Sequence, residues 1–487
     1  MKKRFTLTLT AATTLLISGC AVNPVTGKKE IILVSEGQEV AMGAQSDPAV
    51  TAQFGLYPDP KMQKFINEKG QQMAAISHRS NLKYQFKVVD SPVINAFAVP
   101  GGYVYFTRGI MAHFNNEAQF AGVLGHEIGH VTARHSARQQ TKAMLGQVGL
   151  MGAMVLSPRV AEFGDQAMQG MQLLFLKFGR DDERQSDELG VEYSSKIGYD
   201  ASQMADFFQT LAREQAKGGQ EAIPDFLSTH PNPEDRYATV HQLADKWKLA
   251  NGTAKLAINR DQYLRLIDGL VYGEDPKQGF VENGVFYHPE LKIRFPVPAG
   301  WKYQNTPQQF QMADPAGKAL LILMTAPGTT LDEAAQAIAK QLGLQAAEAP
   351  RRTIINGFPA LAFTADQVQQ DPQTNQPVAG VRVLGHIIQD GKTLYALLGV
   401  AAPADFPAYA PQFSGVAEAF QRLSEPDKLN RQPERIRIVK LKLRSNLSKA
   451  LTSNGVSDKR LEELAILNGM QLNEQVNAGS LIKVVGK

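Results

Sequence analysis

His126, Glu127 and His130 form an H-E-x-x-H sequence inside a stretch that has the pattern of one helix. Residues four apart in a helix lie on one face, about one turn from each other. The two imidazoles can therefore ligate one zinc ion while Glu127 stands beside its bound water. The alternative is a surface helix with incidental histidines. The spacing favours metal binding and predicts the centre of a zinc hydrolase.

The residues around this sequence specify the helix. Asn115 or Asn116 can cap its amino end, and Glu117 suits the positive end of the helix dipole. Apolar residues recur at core-facing spacing, namely Phe120, Leu124, Ile128 and Val131. The histidines fall on the opposite face, among small residues (Gly122, Gly125 and Gly129) that would let another element approach closely. The pattern indicates a helix that borders a cleft.

The third ligand must come from later in the chain. A metzincin needs Gly and His further along the same helix, where this chain has Ala133 and Ser136. His135 is one residue out of that register, and we expect it to be a solvated helix residue. No carboxylate occurs between residues 131 and 161. The later candidates are Glu162, Glu183 and Glu188.

Glu183 stands out among these candidates because Asp187 follows four residues later, which places both carboxylates on one helical face. One carboxylate can ligate zinc while the other orients a histidine ligand through its free ring nitrogen. The alternative is an acidic first helical turn, residues 181–183, that suits the helix dipole. The spacing alone leaves both interpretations open.

Four segments in sequence order resemble a known family over roughly residues 30 to 250. They are Asn95-Ala96-Phe97-Ala98-Val99-Pro100-Gly101-Gly102, the H-E-x-x-H sequence, Glu183 to Asp187, and Ser228-Thr229-His230-Pro231. The chain is similar to the gluzincin zinc metallopeptidases that include HtpX and the CAAX-prenyl endopeptidases, specifically to their periplasmic, BepA-like branch. The resemblance implies a zincin-like fold, one zinc ion and peptide-bond hydrolysis.

The resemblance also implies a role for each matching residue. The implied zinc ligands are His126, His130 and Glu183, with Glu127 as general base and Asp187 as the partner of a ligand. His230 matches a histidine on a loop over the zinc, and Arg236 matches an arginine near the same catalytic site. Asn95, Ala96, Phe97 and Ala98 match a strand that lies along the cleft and can pair with substrate backbone; the alternative is a plain hairpin.

Three roles are open for His230. Pro231 and Pro233 stiffen its loop, and Asn232 can cap the helix that begins at Pro233, so the imidazole is held at a fixed point. His230 can occupy the open zinc position and keep the enzyme latent, or donate to the oxyanion with help from Arg236. It can also simply cap local backbone. We favour the first role, in which His230 acts as a latch on the open zinc position, because three ligands already suffice for catalysis and a fourth would block it.

Peptide-bond hydrolysis follows from the zinc ligands and Glu127. Three protein ligands leave zinc an open position for water, and the metal lowers the pKa of that water and polarises the scissile carbonyl. Glu127 takes the proton and passes it to the leaving amine. No other nucleophile competes, because Cys20 is the only cysteine and no G-x-S-x-G sequence occurs.

The first residues predict a lipoprotein signal. Lys2, Lys3 and Arg4 precede an apolar run, and residues 17–20 (Ile-Ser-Gly-Cys) have the order of a lipoprotein cleavage site. An ordinary secretory signal with an accidental cysteine is the alternative. Cys20 becomes the lipidated terminus, and Ala21 after it favours the outer membrane, facing the periplasm. Loss of residues 1–19 changes the formal net charge from +4 to +1, which gives little support to nucleic-acid binding.

The length of 487 residues implies several domains. We predict a signal peptide at 1–19, a tether at 20–30 and an α-rich, zincin-like metallopeptidase domain with a small sheet at 31–250. An α+β domain at 285–425, with hairpin turns expected at Asn356-Gly357 and Asp390-Gly391, opens in a way that weakly resembles the PsbP and Mog1 type. A small C-terminal αβ module at 430–487, in the order strand, two helices and strand, resembles the second half of a LysM fold. The apolar stretch 143–156 is predicted to be a lid arm, and it is too short to span a membrane.

The preferred function is a zinc metalloendopeptidase, anchored as a lipoprotein in the bacterial envelope, that hydrolyses periplasmic or outer-membrane proteins in quality control or assembly. Its expected partners are protein or peptide substrates and the outer membrane. Envelope proteins or peptidoglycan can engage the C-terminal domains, and no nucleic acid is expected. The alternative is a scaffold or chaperone-like lipoprotein with a mostly latent protease site. The zinc ligands and Glu127 favour the enzyme, because a binding module has no need for a general base.

Overall fold

The computed structural model describes residues 20–150, 178–218, 226, 229–230, 233–252, 255–370 and 377–487. The signal predicted at 1–19, the candidate ligand Glu162 and the second half of the predicted lid arm lie outside these residues.

The helices of the described residues are numbered in chain order. They are α1 (Glu36–Phe54), α2 (Pro60–Ala74), α3 (Arg108–His113), α4 (Glu117–Thr132), α5 (His135–Leu150), α6 (Arg180–Lys196), α7 (Ser202–Gly218), α8 (Pro233–Asn251), α9 (Arg260–Leu266), α10 (Leu331–Gln341), α11 (Phe406–Glu418), α12 (Pro426–Leu429), α13 (Leu447–Ser453) and α14 (Leu461–Leu467). None of these helices has the length and apolar character that a membrane span requires.

The strands are numbered in the same way. They are β1 (Cys20–Val22), β2 (Lys29–Ile31), β3 (Gln85–Val89), β4 (Ala96–Val99), β5 (Tyr103–Thr107), β6 (Val271–Tyr272), β7 (Phe280–Glu282), β8 (Val285–His288), β9 (Ile293–Pro296), β10 (Lys302–Asn305), β11 (Gln309–Ala313), β12 (Ala319–Thr325), β13 (Leu344–Ala346), β14 (Arg351–Ile355), β15 (Phe358–Gln370), β16 (Pro377–Asp390), β17 (Thr393–Ala401), β18 (Gln421–Arg422), β19 (Glu434–Lys440), β20 (Ser445–Asn446), β21 (Gln475–Val476) and β22 (Leu481–Gly486).

The helix that carries the H-E-x-x-H sequence lies in the centre of the N-terminal part. The Asn116 side chain accepts a hydrogen bond from Gln119 N at 2.8 Å, as the predicted cap requires. Every residue of α4 is buried, from Glu117 to Thr132. The alternative of a surface helix with incidental histidines is therefore wrong, because no face of α4 meets solvent.

Glycines let α4 and α6 approach closely. A Cβ atom on Gly125 would lie 3.0 Å from the Gly190 Cα atom, and one on Gly129 would lie 3.3 Å from the Ser186 Cα atom. Any larger side chain at these positions would push the helices apart. The small residues seen in the sequence thus serve the contact that brings α6 beside the histidines.

A small three-stranded sheet completes the N-terminal part, as predicted. Strand β5 lies between β3, which runs parallel to it, and β4, which runs antiparallel. The segment at residues 95–102 is therefore a hairpin, and within the described residues its first strand, β4, forms an edge of the sheet. An edge strand keeps a row of backbone groups free for pairing.

The C-terminal elements pack into the same hydrophobic core as the helical part. Strand β19 pairs with both β22 and β6, and Lys483 of β22 is fully buried. The ammonium group of Lys483 donates to the carbonyls of Ala112, Phe114 and Leu467 at 2.7–2.9 Å. Two of these carbonyls belong to the end of α3, one turn before α4 begins. The predicted order of strand, two helices and strand is present; the LysM resemblance stays a prediction.

The sheet-rich region between these parts matches the predicted α+β character. Its main sheet has the order β10-β11-β12-β17-β16-β15-β13, with β14 also paired to β15. Two tight hairpins stand where the sequence predicts them, and Asn356 (φ 45°) and Gly357 (φ 88°) adopt the left-handed backbone that such a turn needs. Apolar clusters cover both faces of the sheet, against α11 on one side and α10 on the other. The domain boundaries themselves remain predictions.

The residues after Cys20 are folded. Strands β1 and β2 form an antiparallel hairpin, and the buried Asn23 donates to Glu30 Oε1 at 2.9 Å. Leu33 N donates to Thr141 Oγ1 of α5 at 3.0 Å. The segment predicted as a tether at 20–30 thus lies against α5 as a short hairpin.

Candidate metal centre

The two histidines of α4 each direct one ring nitrogen toward the same point. The Nε2 atoms of His126 and His130 are 3.0 Å apart, and both rings are buried. Burial lowers the pKa of His130 well below its usual range, and the neighbouring His126 and His135 side chains act in the same direction. Neutral imidazole is the form that binds a metal.

Glu183 of α6 supplies a carboxylate at the same point. Its Oε1 atom is 3.5 Å from His130 Nε2, and its Oε2 atom is 3.6 Å from His126 Nε2. Burial alone would raise the pKa of Glu183, but His230 and Arg236 outweigh it and lower the pKa overall. The carboxylate is thus held in the ionised form that a metal ligand requires. Glu188, another sequence candidate, is exposed on α6 and is not a ligand.

The spacing of these donors fits one metal ion. Zinc with bonds of about 2.0–2.1 Å to a tetrahedral set of ligands places ligand atoms roughly 3.3–3.4 Å apart. Donor atoms of His126, His130, Glu183 and His230 all lie within 4.8 Å of one another. Glu127 Oε1 is buried and accepts no hydrogen bond, and the buried Glu183 Oε2 has only an ion pair with Arg236 Nη1 at 3.3 Å. Buried carboxylate oxygens without partners are costly unless a cation or water completes them, so the residues fit a metal ion.

Glu127 stands beside this donor set without belonging to it. Its side chain is 1% exposed, and its Oε1 atom lies 3.7 Å from His230 Nε2. Burial raises the pKa of Glu127, against the opposing effects of His230 and His126. A carboxylate with a raised pKa accepts and releases a proton more readily near neutral pH, which is what a general base must do.

Asp187 and Arg236 lie behind His126. Asp187 Oδ1 accepts a hydrogen bond from His126 Nδ1 at 2.9 Å, which leaves His126 Nε2 free to face the metal. Arg236 donates to both Asp187 oxygens, at 2.9 and 2.6 Å. Burial acts to raise the pKa of Asp187, but Arg236 dominates and lowers that pKa to about 2. Arg236 is therefore near the site, as predicted, and its contacts place it as a support for Asp187.

His230 reaches the donor set from the loop before α8. Its Nδ1 atom lies 2.9 Å from Glu183 Oε1 and 3.3 Å from His126 Nε2. Its backbone N–H donates to Phe226 O at 2.8 Å, and the two rings stack with centroids 4.6 Å apart. Burial would lower the pKa of His230, but the Glu183 carboxylate raises it overall. Pro231 and Asn232, on which the prediction of a stiff loop depends, lie outside the described residues.

The prediction that His135 is a solvated helix residue is wrong. The helix α4 ends at Thr132, and Arg134 adopts a left-handed backbone (φ 58°), so the chain turns before α5 begins at His135. His135 is fully buried, with its Nδ1 atom 2.9 Å from His130 Nδ1. Its Nε2 atom is 2.9 Å from Gln185 Oε1. The extrapolation failed because it assumed that one helix continued past residue 132.

These contacts define a chain of hydrogen bonds behind His130. Gln185 Oε1 can only accept, so His135 carries its proton on Nε2 and accepts at Nδ1 from His130 Nδ1–H. Burial lowers the pKa of His135 to about 4, which keeps it neutral. The chain fixes the tautomer in which His130 Nε2 carries a lone pair toward the metal. Sequence reasoning missed both His135 and Gln185, although the short spacing to His130 was a usable signal.

Strand β4 offers backbone groups next to this centre. Thr107 N donates to Asn95 O, so the backbone of Asn95 faces β5, and by alternation that of Phe97 does too. The backbone groups of Ala96 and Ala98 then point away from the sheet. Phe226, which stacks on His230, donates its N–H to Ile94 O at 3.1 Å, one residue before this free stretch. The predicted substrate strand thus lies beside the loop of His230.

Two histidines of the H-E-x-x-H helix and a glutamate from a second helix form, with His230, a buried donor set that fits one metal ion. Residues 60–244 match the profile of Peptidase family M48, and this part of the chain is a Peptidase M48 family domain. Peptidases of this family are zinc-dependent. The resemblance inferred from the sequence is thereby confirmed for the peptidase part.

Two curated relatives carry protease names. The chain is 31% identical over 264 residues to the beta-barrel assembly-enhancing protease of Escherichia coli (strain K12), a match that covers 51% of this chain and 53% of that protein. It is 29% identical over 213 residues to the mitochondrial metalloendopeptidase OMA1 of Arabidopsis thaliana, covering 43% and 41%. The chain thus spans about half the length of the curated relatives it matches.

A solved structure of PsbP from Synechocystis sp. PCC 6803 aligns with 28% of this chain and 91% of its own, at 11% identity and a TM-score of 0.23. The resemblance of residues 285–425 to the PsbP and Mog1 type stays a prediction.

The hydrogen-bond chain behind His130 generates a testable prediction. We expect His135→Phe to weaken zinc binding by about 10- to 100-fold, because His130 loses the acceptor that fixes its tautomer. Competition between the protein and a chelator measures this affinity. His78→Ala, which removes an exposed histidine, is the matched control and should leave affinity unchanged. Equal zinc affinity in the wild type and His135→Phe would contradict the assigned role.

Proposed function

We propose that the protein is a zinc-dependent metalloendopeptidase. The proposal rests on one observation. His126 Nε2, His130 Nε2 and the Glu183 carboxylate lie close together in the interior, and Oε1 of the neighbouring Glu127 accepts no hydrogen bond. The Peptidase family M48 match over residues 60–244 supports it independently. A purely structural histidine cluster would leave Glu127 without a purpose, since a buried carboxylate with an unpartnered oxygen destabilises the fold.

When bound, zinc would supply the Lewis acid that polarises the scissile carbonyl and acidifies water. His126, His130 and Glu183 would hold it. Glu127 takes a proton from the attacking water and returns it to the leaving amine, so that an amine and a carboxylic acid are released. Asp187 and the His135–Gln185 pair keep the two imidazoles in the tautomers that bind metal, and the buried position excludes bulk water.

We propose that an extended substrate pairs with the free edge of β4. The backbone groups of Ala96 and Ala98 face away from β5 and are the partners available to an added strand. Asn95, Phe97 and the rest of the hairpin hold this edge in place. Pairing through backbone groups would present the peptide bond to the metal centre without selecting a particular side chain.

We propose that His230 acts as a latch. Its Nδ1 atom lies within the donor set, 3.3 Å from His126 Nε2, where a fourth ligand would displace the water needed for attack. The stacking on Phe226 links the latch to the same segment that bonds to Ile94 beside β4. A substrate strand on β4 would disturb this segment and release His230, which couples substrate binding to activation.

We also propose a location in the bacterial envelope, with Cys20 lipidated and the enzyme on the periplasmic face of the outer membrane. The Ile-Ser-Gly-Cys sequence supports lipidation, and a relative named beta-barrel assembly-enhancing protease supports substrates among periplasmic or outer-membrane proteins. The folded hairpin that begins at Cys20 would then hold α5 close to the membrane surface. Any partner of the C-terminal regions would also be an envelope component.

Catalysis gives a first prediction. Glu127→Gln should retain one zinc per chain and lose about 10²- to 10⁴-fold in turnover, because the amide cannot accept the proton. Glu183→Ala should instead lose the metal itself. Zinc content by mass spectrometry and hydrolysis of an unfolded protein substrate measure the two effects, and Glu188→Gln is the exposed control on α6. Undiminished hydrolysis by Glu127→Gln would contradict the role of Glu127 as general base.

The latch gives the second prediction. His230→Ala should raise basal proteolysis by about three- to tenfold, because the fourth coordination position becomes available to water more often. His241→Ala, which removes a half-buried histidine of α8, is the control. Initial rates on an unfolded protein substrate decide between the open roles. A large loss would favour oxyanion stabilisation instead, and an unchanged rate would leave only backbone capping.

Lipidation gives the third prediction. Cys20→Ser should remain unprocessed or appear in the soluble fraction, because no thiol is left to accept the lipid. Mass spectrometry of the mature amino terminus and detergent partitioning measure this, with Ser18→Ala as a control that keeps the cysteine. A mature terminus at any residue other than Cys20 would overturn the assignment.

A further inference from the structure

A cavity of about 260 Å³ lies between the start of β4 and the sheet-rich region. From the N-terminal part it is lined by Phe54, Val93 and Phe97, and from the sheet-rich region by Tyr303 and Pro307. The two sides are tied together beside it, because Gln278 Nε2 donates to Asp90 Oδ2 at 2.8 Å and Asn305 Nδ2 donates to the carbonyls of Gln278 and Gly279 at 2.8 and 3.0 Å. The cavity is thus built jointly by both parts of the chain.

The charged residues that line the cavity are acids. Asp90 is one of three acids in the wall, and it is paired with Arg108 and accepts from Gln278 Nε2 at 2.8 Å. Asp275 accepts from Lys277 N at 3.0 Å, and Glu274 interacts with the more distant Arg431 and Arg108, but no Lys or Arg of the described residues lines the cavity. Apolar walls that contain carboxylates and no cation suit a long side chain that is apolar along its stem and positive at its end.

Two side-chain amides of the wall also lack partners. Gln53 is 7% exposed and its Nε2 atom makes no hydrogen bond, and the buried Oδ1 atom of Asn95 makes none either. Buried polar atoms of this kind are usually satisfied by protein, water or ligand. The cavity therefore presents an acceptor and a donor in addition to its carboxylates.

The cavity lies on a defined face of β4. Asn95 and Phe97 line it, whereas Ala96 belongs to the main core on the opposite face. Side chains alternate along a strand, and those of a paired strand stand on the same face as their neighbours. A substrate strand paired with Ala96 and Ala98 would therefore place alternate side chains on the face of Asn95 and Phe97, toward the cavity.

The volume limits what can enter. Sites for whole small molecules usually measure about 300–1,000 Å³, so this cavity suits one amino-acid side chain better than a separate ligand.

We propose that this cavity is a specificity pocket for a lysine or arginine side chain of an extended substrate bound to β4. The inference rests on the proposed peptidase function and adds the substrate class. The sheet-rich region is then part of the substrate site, because Tyr303 and Pro307 form its outer wall.

The test uses the zinc-loaded full chain and a set of fluorogenic eight-residue peptides. Each peptide carries arginine at one position, and its partner carries norleucine there, which keeps an apolar stem without the charge. We expect kcat/KM to favour arginine by about fivefold at one position. Glu274→Gln with Asp275→Asn should abolish this preference. Gln304→Trp, which places a bulky ring from an exposed lining residue into the cavity, should weaken both peptides.

Glu348→Gln with Asp261→Asn is the matched control, because it also removes two exposed carboxylates away from the cavity. Binding of the same peptides to Glu127→Gln, followed by fluorescence anisotropy, reports on the pocket without turnover. If no peptide is hydrolysed but arginine peptides still bind more tightly than norleucine peptides, the peptidase function is rejected and the specificity pocket is retained. Hydrolysis of norleucine peptides with no arginine preference at any position, or a preference that survives loss of Glu274 and Asp275, would overturn the pocket.

Discussion

The close contact between α4 and α6 is the constraint on which the metal centre depends. Gly125 on α4 faces Gly190 on α6, Gly129 faces Ser186, and a Cβ on Gly190 would stand 3.0 Å from Gly122 O. This separation is what lets a short Glu183 side chain reach the imidazoles of the next helix. A single methyl group at this contact would move Glu183 away from His126 and His130, because a close-packed interior has no empty volume that could accommodate the added group.

The charges around the centre favour a bound cation. Three carboxylates, those of Glu127, Glu183 and Asp187, are buried with one guanidinium, that of Arg236, and with the imidazole of His230, whose pKa Glu183 raises. Carboxylates outnumber the one permanent cation, and a bound zinc ion would offset the difference. Buried charges without a counter-charge are strongly destabilising. We therefore expect bound metal to stabilise the fold as well as to provide the chemistry.

The regions beyond the peptidase part are joined to it through specific contacts. Lys483 of β22 satisfies two carbonyls at the end of α3, just before α4, so the C-terminal strand supports the start of the zinc helix. The sheet-rich side meets the N-terminal part where Gln278 Nε2 donates to Asp90 Oδ2 at 2.8 Å, and Asp90 is paired with Arg108 at the start of α3. Both contacts reach elements that position the site, which gives these regions a direct physical route to influence binding and catalysis.

Local patterns in the sequence determined much of this protein. The H-E-x-x-H spacing, the Asn116 cap, the Glu183 and Asp187 pair and the Asn356-Gly357 turn all depend on neighbours within a few residues, and each stands where it was predicted. Tertiary structure decided what depends on distant contacts. The buried His135 follows from a turn at Arg134, and its partner Gln185 lies 50 residues away. The core shared with the C-terminal strands and the cavity beside Asn95 arise in the same way. Spacing along a chain specifies local geometry, but only packing brings distant side chains together and removes them from water.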